Sequence, residues 1–180
     1  MKTQDHDRER SFTVSIFTED RIGMLNRVTI IFTRRHLNIA SITASESEVP
    51  GVFRYTIVLQ ATRAQVDKVV GQLERLVEVL KAFVHEEEEI VHQEIALYKV
   101  RTGTLANGAV ERVVRENHAR ILSVDTQFLV IERTGHVAET QALFEQLKPF
   151  GILEFARSGR VAVTKPMKEL STYLKELEAK

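Results

Sequence analysis

The chain has 180 residues, enough for one large domain or two small ones of about 80 residues. Its 25 basic and 25 acidic residues balance, so there is no electrostatic basis for coating nucleic acid or an anionic membrane. It contains no cysteine, which excludes disulfides, zinc-thiolate sites and thiol redox chemistry. The first ten residues lack the apolar core of a signal peptide, and no later apolar run reaches membrane length. We therefore expect a globular cytoplasmic protein.

The first half of the chain predicts the order strand, helix, strand, strand, helix, strand. Strand patterns, in which apolar and polar residues alternate, cover residues 12–16, 38–47, 53–59 and 79–84. Helical patterns, with apolar residues three or four apart, cover residues 24–32 and 66–77. Pro50-Gly51 is a turn signal between the second and third strands.

Four glutamates, residues 86–89, interrupt the apolar pattern and are the best linker candidate. Beyond them the same order of elements repeats. Strand patterns cover residues 95–100, 121–124, 128–131 and 152–156, and a short apolar run follows at 161–163. Helical patterns cover residues 110–114 and 137–147, the second of which is stopped by Pro149.

This order predicts an α+β protein made of two ferredoxin-like βαββαβ units, each with two helices on one face of an antiparallel sheet. The boundaries that we predict are an N-terminal tail at 1–10, a first domain at 11–85, a linker at 86–92, a second domain at 93–166 and a helical tail at 167–180.

The end of the first predicted strand carries the pattern most typical of ligand binding. Asp20 precedes Gly23 at the start of a helix, and Asn38 opens the next strand, so we expect both polar side chains at one end of the sheet. Unpaired N–H groups at the helix start would suit a carboxylate, and Asp20 would suit an ammonium group. These donors belong to Ile22, Gly23, Met24 and Leu25. A glycine that only permits a tight turn, and an asparagine that only caps a strand, explain the same residues.

Catalytic patterns are missing from the sequence. There is no nucleophile elbow and no phosphate-binding glycine loop. The run His85 to Glu89 with His92 lacks the histidine pair of a helical zinc motif, and a solvated linker accounts for it. Phe53 and Tyr55 are better explained as core residues than as an RNA-stacking platform, since a basic excess is missing. We predict no catalytic residue and no metal ligand.

The chain from Ser11 to about Pro166 resembles the regulatory small subunits of acetolactate synthase, whose first half is an ACT domain. The resemblance rests on these segments: Gly23-Met24-Leu25-Asn26-Arg27-Val28, Asn38-Ile39-Ala40-Ser41-Ile42-Thr43, Gln72-Leu73-Glu74-Arg75-Leu76-Val77-Glu78-Val79, Glu94-Ile95-Ala96-Leu97-Tyr98-Lys99-Val100 and Ala156-Arg157-Ser158-Gly159.

The resemblance implies a non-catalytic subunit that activates a separate catalytic large subunit. The partner would use thiamine diphosphate, magnesium and FAD, whereas this chain would bind no cofactor. The resemblance also implies feedback inhibition by valine, held between side-by-side ACT domains of a homodimer. The implied effector-binding residues are Asp20, Ile22, Gly23, Met24 and Leu25, with Asn38 and Ile39 from the facing chain.

Position 20 departs from the family pattern, which most often has Asn there. Asp20 can accept a hydrogen bond from an ammonium group, but it cannot donate as an amide does, and its charge repels a nearby carboxylate. The affinity for valine and the choice of effector therefore stay open.

Two other functions fit the same fold. A stand-alone tandem-ACT amino-acid-sensing regulator would carry the turn motif in both halves, but no acidic residue lies three before Gly103. An acylphosphatase-like hydrolase would need a positioned Arg and Asn, and Arg21 has no evident partner. The asymmetry favours one effector-binding domain and one domain that contacts the catalytic subunit or supports a dimer.

Overall fold

The computed structural model of the chain describes residues 8–102, 108–165, 171, 172 and 175. The chain divides into two compact units. The first comprises Met1–Val91 together with Ala162–Lys180, and the second comprises His92–Val161. The predicted helical tail at 167–180 lies outside the described residues except at 171, 172 and 175, which are helical.

The first unit contains one four-stranded antiparallel sheet and two helices. In chain order its elements are β1 (Arg10–Glu19), α1 (Met24–Arg34), β2 (Ile39–Glu46), β3 (Val52–Ala61), α2 (Arg63–Leu73) and β4 (Val79–His85). The strand order in the sheet is β2-β3-β1-β4. This βαββαβ arrangement confirms the predicted ferredoxin-like fold.

The helix α2 is shorter than its apolar pattern predicts. Thr62 caps its start, since its side chain accepts a hydrogen bond from the N–H group of Gln65. The helix ends at Leu73, after which Leu76 donates to the Leu73 carbonyl in a turn. Val77 is therefore exposed rather than part of the helix's apolar face.

The core of the first unit lies between the sheet and the two helices. Phe12, Val14 and Ile16 of β1 are fully buried there, and each such side chain contributes about 1.5–3 kcal/mol through removal of apolar surface from water. The opposite face of β1 is buried as well, with Thr13, Ser15 and Phe17 all inaccessible. Alternation in the sequence predicts only one buried face, so this second face was missed.

Residues after the second unit return to the first. The Arg54 Nη2 atom on β3 donates to the Ala162 carbonyl at 2.5 Å, and the Lys165 N–H group donates to the Glu89 carbonyl at 2.9 Å. Ala162 is buried. These contacts attach residues 162–165 to β3 and to the residue before Ile90, all within the first unit.

The second unit repeats the same fold. The glutamates Glu87–Glu89 form a 3-10 turn, and β5 (Ile90–Arg101) begins five residues before the predicted strand. The other elements of this unit are α3 (Ala109–Glu116), β6 (Arg120–Val124), β7 (Phe128–Gly135), α4 (Val137–Leu147), a 3-10 turn at Lys148–Phe150 and β8 (Ile152–Arg157). The strand β9 (Val161–Thr164) leads from this unit back into the first. The strand order is β6-β7-β5-β8, and β9 also pairs with β5. Tyr98, Leu129 and Ile131 lie at the centre of its core.

Candidate functional site

The end of β1 is fixed by backbone hydrogen bonds to its two neighbours in the sheet. The Glu19 N–H group donates to the Glu78 carbonyl at 2.9 Å, and the Asp20 N–H group donates to the Gly51 carbonyl at 3.0 Å. Residues 20–23 therefore leave the sheet at a point anchored on both sides. The helix α1 begins at Met24, directly after this loop.

Gly23 is the residue that turns the loop into the helix. Its φ of 85° lies in the left-handed region, which side chains disfavour, although a Cβ atom would meet no other atom within 4 Å. The Arg27 N–H group donates to its carbonyl at 3.1 Å and closes the first helical turn. The predicted glycine turn is therefore required by backbone conformation rather than by lack of space.

Met24 differs from the prediction. Its N–H group donates to the Arg21 carbonyl at 3.3 Å, so it is not an unpaired donor, and its side chain is 2% exposed in the core. The N–H groups of Ile22, Gly23 and Leu25 have no partner among the described residues. The side chain of Ile22 is fully exposed and that of Leu25 half exposed, which leaves an apolar rim beside these donors.

The start of α1 has no built-in counter-charge. Gly23 offers no capping side chain, and the first turn contains no acidic residue. An anion placed there would be stabilised by about 0.3–1 kcal/mol through the helix dipole. By contrast, α3 of the second unit also begins after a left-handed glycine, Gly108, but carries Glu111 in its first turn. The loop before it, residues 103–107, lies outside the described residues.

Three carboxylates and two guanidinium groups surround the end of β1. Arg21 pairs with Glu19, with Nε and Oε2 2.6 Å apart, and Arg27 pairs with Glu78. The Arg27 hydrogen bond lowers the pKa of the Glu78 carboxyl, so Glu78 is ionised at neutral pH. Asp20 is exposed, and its side chain has no ion-pair or hydrogen-bond partner among the described residues. The sequence did not predict that Glu78 lies at the end of β1, because nothing in its spacing links it to this loop.

Asn38 and Ile39 lie far from Asp20 in the same chain, which corrects the expectation that Asp20 and Asn38 share one end of the sheet. Ile39 pairs with Leu59 on β3, whereas Glu19 pairs with Val52. These positions are seven residues apart on β3, or about 24 Å. The physical reason is the crossover: α1 carries the chain back along the sheet, so β2 starts at the end where β1 starts.

The segment Arg157-Ser158-Gly159, predicted as a hairpin turn, closes the second sheet. The Ser158 N–H group donates to the Ile95 carbonyl, and the Ile95 N–H group donates to Ser158 Oγ, both at 2.9 Å. Arg157 Nε lies 2.8 Å from Oε1 of Glu94, which is 4% exposed. These contacts attach the segment to β5, so we assign it a structural role.

A buried polar cluster surrounds this ion pair, and no pattern in the sequence predicted it. Thr140 donates to Glu94 at 2.5 Å, and the Tyr98 hydroxyl donates to the Thr140 carbonyl at 2.6 Å. Burial raises the pKa of Tyr98 to about 12. Because Tyr98 and Thr140 are fully buried and hydrogen-bonded, the cluster supports the core rather than a reaction.

His92, predicted as part of a solvated linker, is instead buried on β5. Its ring meets that of His136 edge-on, with the ring centroids 4.5 Å apart. We assign no metal to this pair of imidazoles.

The fold and the open helix start at the end of β1 define the first unit as an ACT domain. Residues 14–81 match the family described as the AHAS small subunit-like ACT domain, and residues 93–166 match the family described as the small subunit of acetolactate synthase. None of the helices in the described part of the chain is long and apolar enough to cross a membrane.

Relatives of known name agree with this assignment. The acetolactate synthase small subunit of Mycolicibacterium smegmatis is 36% identical over 153 residues, covering 85% of this chain and 90% of the relative. That of Bacillus subtilis is 35% identical, covering 83% and 87%. The crystal structure of the acetolactate synthase small subunit from Thermotoga maritima superimposes with a TM-score of 0.81 at 30% identity, covering 88% and 99%. The chain belongs to the acetolactate synthase small subunit family.

Membership of this family confirms the resemblance and implies a regulatory role beside a catalytic partner subunit. It also implies that the cofactors of the reaction are not held by this chain.

Proposed function

We propose that this chain is a non-catalytic cytoplasmic subunit that activates the catalytic large subunit of acetolactate synthase and confers feedback inhibition by valine. In this proposal the catalytic partner holds thiamine diphosphate, magnesium and FAD. The chain itself supplies a binding site for the free amino acid and a surface for the partner subunit.

The observation that carries the proposal is that two kinds of group lie together at the end of β1. N–H donors there suit a carboxylate, and an exposed carboxylate there suits an ammonium group. The N–H groups of Ile22, Gly23 and Leu25 face no counter-charge from their own helix, which suits a carboxylate. Asp20 is the carboxylate there without a cation of its own among the described residues, which suits an ammonium group. A zwitterion such as valine carries both groups, and its branched side chain would meet apolar atoms such as those of Ile39.

A second copy of the chain would complete this site. The strand β2 is the edge strand of the four-stranded sheet, and no other strand in the described part of the chain pairs with its outer side. Antiparallel pairing of β2 with β2 of a partner, about a two-fold axis, would bring the partner's Asn38 and Ile39 to the end of the sheet where Asp20 lies. This geometry supports a homodimer of side-by-side ACT domains with valine between the two chains.

Inhibition then follows from differential binding. If valine prefers one arrangement of the paired ACT domains, its binding shifts the population of the complex towards that arrangement, by no more than its difference in affinity. The less active state of the catalytic subunit would be the one that valine favours.

The test is to mix the purified chain with the catalytic large subunit and measure acetolactate formation with and without valine. We expect the chain to raise the rate and valine to reverse the increase. No increase on mixing would overturn the activation role, and an increase that millimolar valine, leucine and isoleucine all leave unchanged would overturn the effector role.

A further inference from the structure

We propose that the outward face of the second unit's sheet is the surface through which this chain docks onto the catalytic large subunit. This inference rests on the proposed function and deepens it, because it gives the surface for the partner subunit a place in the fold.

The outward face lies on the side of the sheet away from α3 and α4. Ala96, Tyr98 and Val100 of β5 are fully buried in the core, and successive residues of a strand point to opposite sides. The strand register places Leu97 beside Glu132 of β7 and Ala156 of β8. We call this surface the open face, and it comprises Ile95, Leu97, Lys99, Val130, Glu132 and Ala156.

The open face exposes large apolar side chains on an interior strand of the sheet. Ile95 is 47% exposed and Leu97 is 37% exposed, and both belong to β5, which has neighbours on each side. Ala156, which pairs with Leu97, is exposed as well. A contiguous apolar patch on the surface of a folded domain marks a site of interaction with another molecule.

The first unit shows the opposite combination of composition and burial. On the side of its interior strand β1 that faces away from the helices, the small polar residues Thr13 and Ser15 are buried. Apolar side chains gain more from burial than polar ones, yet in this chain the polar face is covered and the apolar face is open. The composition of the open face therefore suits a cover that another molecule supplies.

The size of the open face fits a protein partner. The strands β5 and β7 pair over eight residues in a sheet of four strands, which covers roughly 27 by 19 Å, or about 500 Å² in projection. Specific protein interfaces bury about 800 Å² of accessible surface on each partner, an area of the same scale. Small ligands instead bind in concave pockets.

The charged groups on and around the open face pair with one another. Arg120 of β6 pairs with Glu132, which also accepts from the Thr134 hydroxyl at 2.6 Å. The Lys99 Nζ atom lies 3.9 Å from Oε2 of Glu154. These two cations and two anions balance, so the face suits an apolar partner surface rather than a strongly charged one.

The occupant follows from the family and from the surfaces that the first unit supplies. The second unit, at residues 93–166, is the part matched by the family described as the small subunit of acetolactate synthase, and a small subunit implies a larger partner. A second copy of the chain is the competing occupant, but the edge strand β2 already serves that copy in the proposed dimer. We therefore assign the open face to the large subunit.

The test is to titrate the full chain into a fixed amount of large subunit and record the concentration that gives half-maximal acetolactate formation. Leu97→Lys and Ile95→Lys should each raise this concentration about tenfold or more, because the interface would bury a cation without a partner. In the isolated chain both side chains are exposed, so the urea midpoint and the calorimetric affinity for valine should stay unchanged.

The matched control is Val137→Lys. Val137 is 48% exposed, close to the value for Ile95, but it is the first residue of α4 and so lies in the helix layer of the same unit. This variant should activate the large subunit at the same concentration as the unmodified chain.

Three results would overturn the inference and leave the proposed function standing. They are activation by Leu97→Lys at the unmodified concentration, an equal loss in Val137→Lys, and a smaller oligomer of isolated Leu97→Lys in sedimentation, which would show that a second copy covers the open face. If the unmodified chain activates the large subunit at no concentration, the proposed function itself fails, and this inference fails with it.

Discussion

Gly23 links the backbone conformation of this protein to its proposed ligand. Its positive φ lets the chain enter α1 directly after the loop, and its lack of a side chain leaves the helix start open. This turn puts the Asp20 carboxylate, which suits a cation, in the same loop as N–H groups that have no partner in the described part of the chain and suit an anion.

We predict that Gly23→Asp abolishes valine inhibition while activation of the catalytic subunit is retained. The new carboxylate would complement the start of α1 itself and repel the carboxylate of the effector. The left-handed conformation should cost about 1 kcal/mol of folding stability. Acetolactate formation over a range of valine concentrations measures the first effect, and urea unfolding the second.

Gly108→Asp is the matched control for this variant. Gly108 precedes α3 with a φ of 64°, and a Cβ atom there also meets nothing within 4 Å. It should lose similar stability and stay sensitive to valine. A Gly23→Asp protein that is still fully inhibited would show that the site is placed wrongly.

The strands of this protein carry polar side chains on faces that the sequence does not predict to be buried. On β1 and its neighbours β3 and β4, these include Ser15, Thr56 and His85, and on β5 they include Glu94. A buried polar group is costly without a hydrogen-bond or ion-pair partner. The folding stability of this protein should therefore be sensitive to substitutions that remove such a partner and to pH changes that charge a buried group.

Arg157→Ala should destabilise the second unit by about 2–3 kcal/mol, because it leaves the carboxylate of Glu94 buried without its cation. The value lies below the roughly 3–5 kcal/mol expected for a fully buried ion pair, since the Arg157 side chain is 25% exposed. Urea unfolding measures the change. Lys148→Ala, which breaks an exposed pair with Glu145, should cost far less, and equal losses in both variants would contradict the assignment.

Folding stability should fall as the pH drops below about 6.5, the usual pKa of histidine. Burial lowers the pKa of His85, and the nearby Arg54 cation acts in the same direction, although Glu89 opposes it. The unfolded chain therefore binds a proton more readily than the folded chain, and the loss of stability is complete only below the lowered pKa.

Urea midpoints at pH 7.5 and pH 5.5 measure this effect. His85→Gln should reduce the difference between the two midpoints because it removes the buried imidazole. His36→Asn, which removes an exposed imidazole, is the control. If both variants change the difference equally, burial of His85 is not the cause.

At the scale of the whole molecule, the proposed site requires two chains, because Asp20 and Asn38 are at opposite ends of one sheet. This requirement can be tested by mixing. Asp20→Ala and Asn38→Ala proteins should each bind valine weakly on their own. After unfolding and refolding together, random pairing should restore about a quarter of the normal sites, because half of the dimers carry one intact site.

Titration calorimetry counts the restored high-affinity sites. Mixing Asp20→Ala with itself provides the control and should restore none. Failure of the mixed sample to recover any site would show that the two residues do not act together across a dimer.

Much of the fold was predictable from the sequence because short-range patterns determine it. Alternating residues such as Phe12, Val14 and Ile16 predicted β1, and helical spacing predicted α1. The end of α2 was placed too late, because Leu76 and Val77 continue the apolar spacing although the backbone has already turned. The spacing of apolar residues predicts which side chains are buried, but it does not predict where the backbone hydrogen bonds of the helix end.

The candidate site was predictable only in part. The turn at Gly23 and the carboxylate of Asp20 follow from residues that are neighbours in the chain. The use of the Met24 N–H group in a turn and the ion pair of Glu78 with Arg27 do not, because they depend on how the loop folds and on residues 51 apart.

The sequence alone therefore determined the order of elements, the ferredoxin-like class, the family and the position of the glycine turn, since all of these are encoded by local patterns. The tertiary structure decided which groups meet. It put Asn38 about 24 Å along the sheet from Asp20, and it put Glu78 beside Arg27. The reason is that the direction of a crossover and the register of paired strands set distances between residues, and neither is written in the spacing of side chains along the chain.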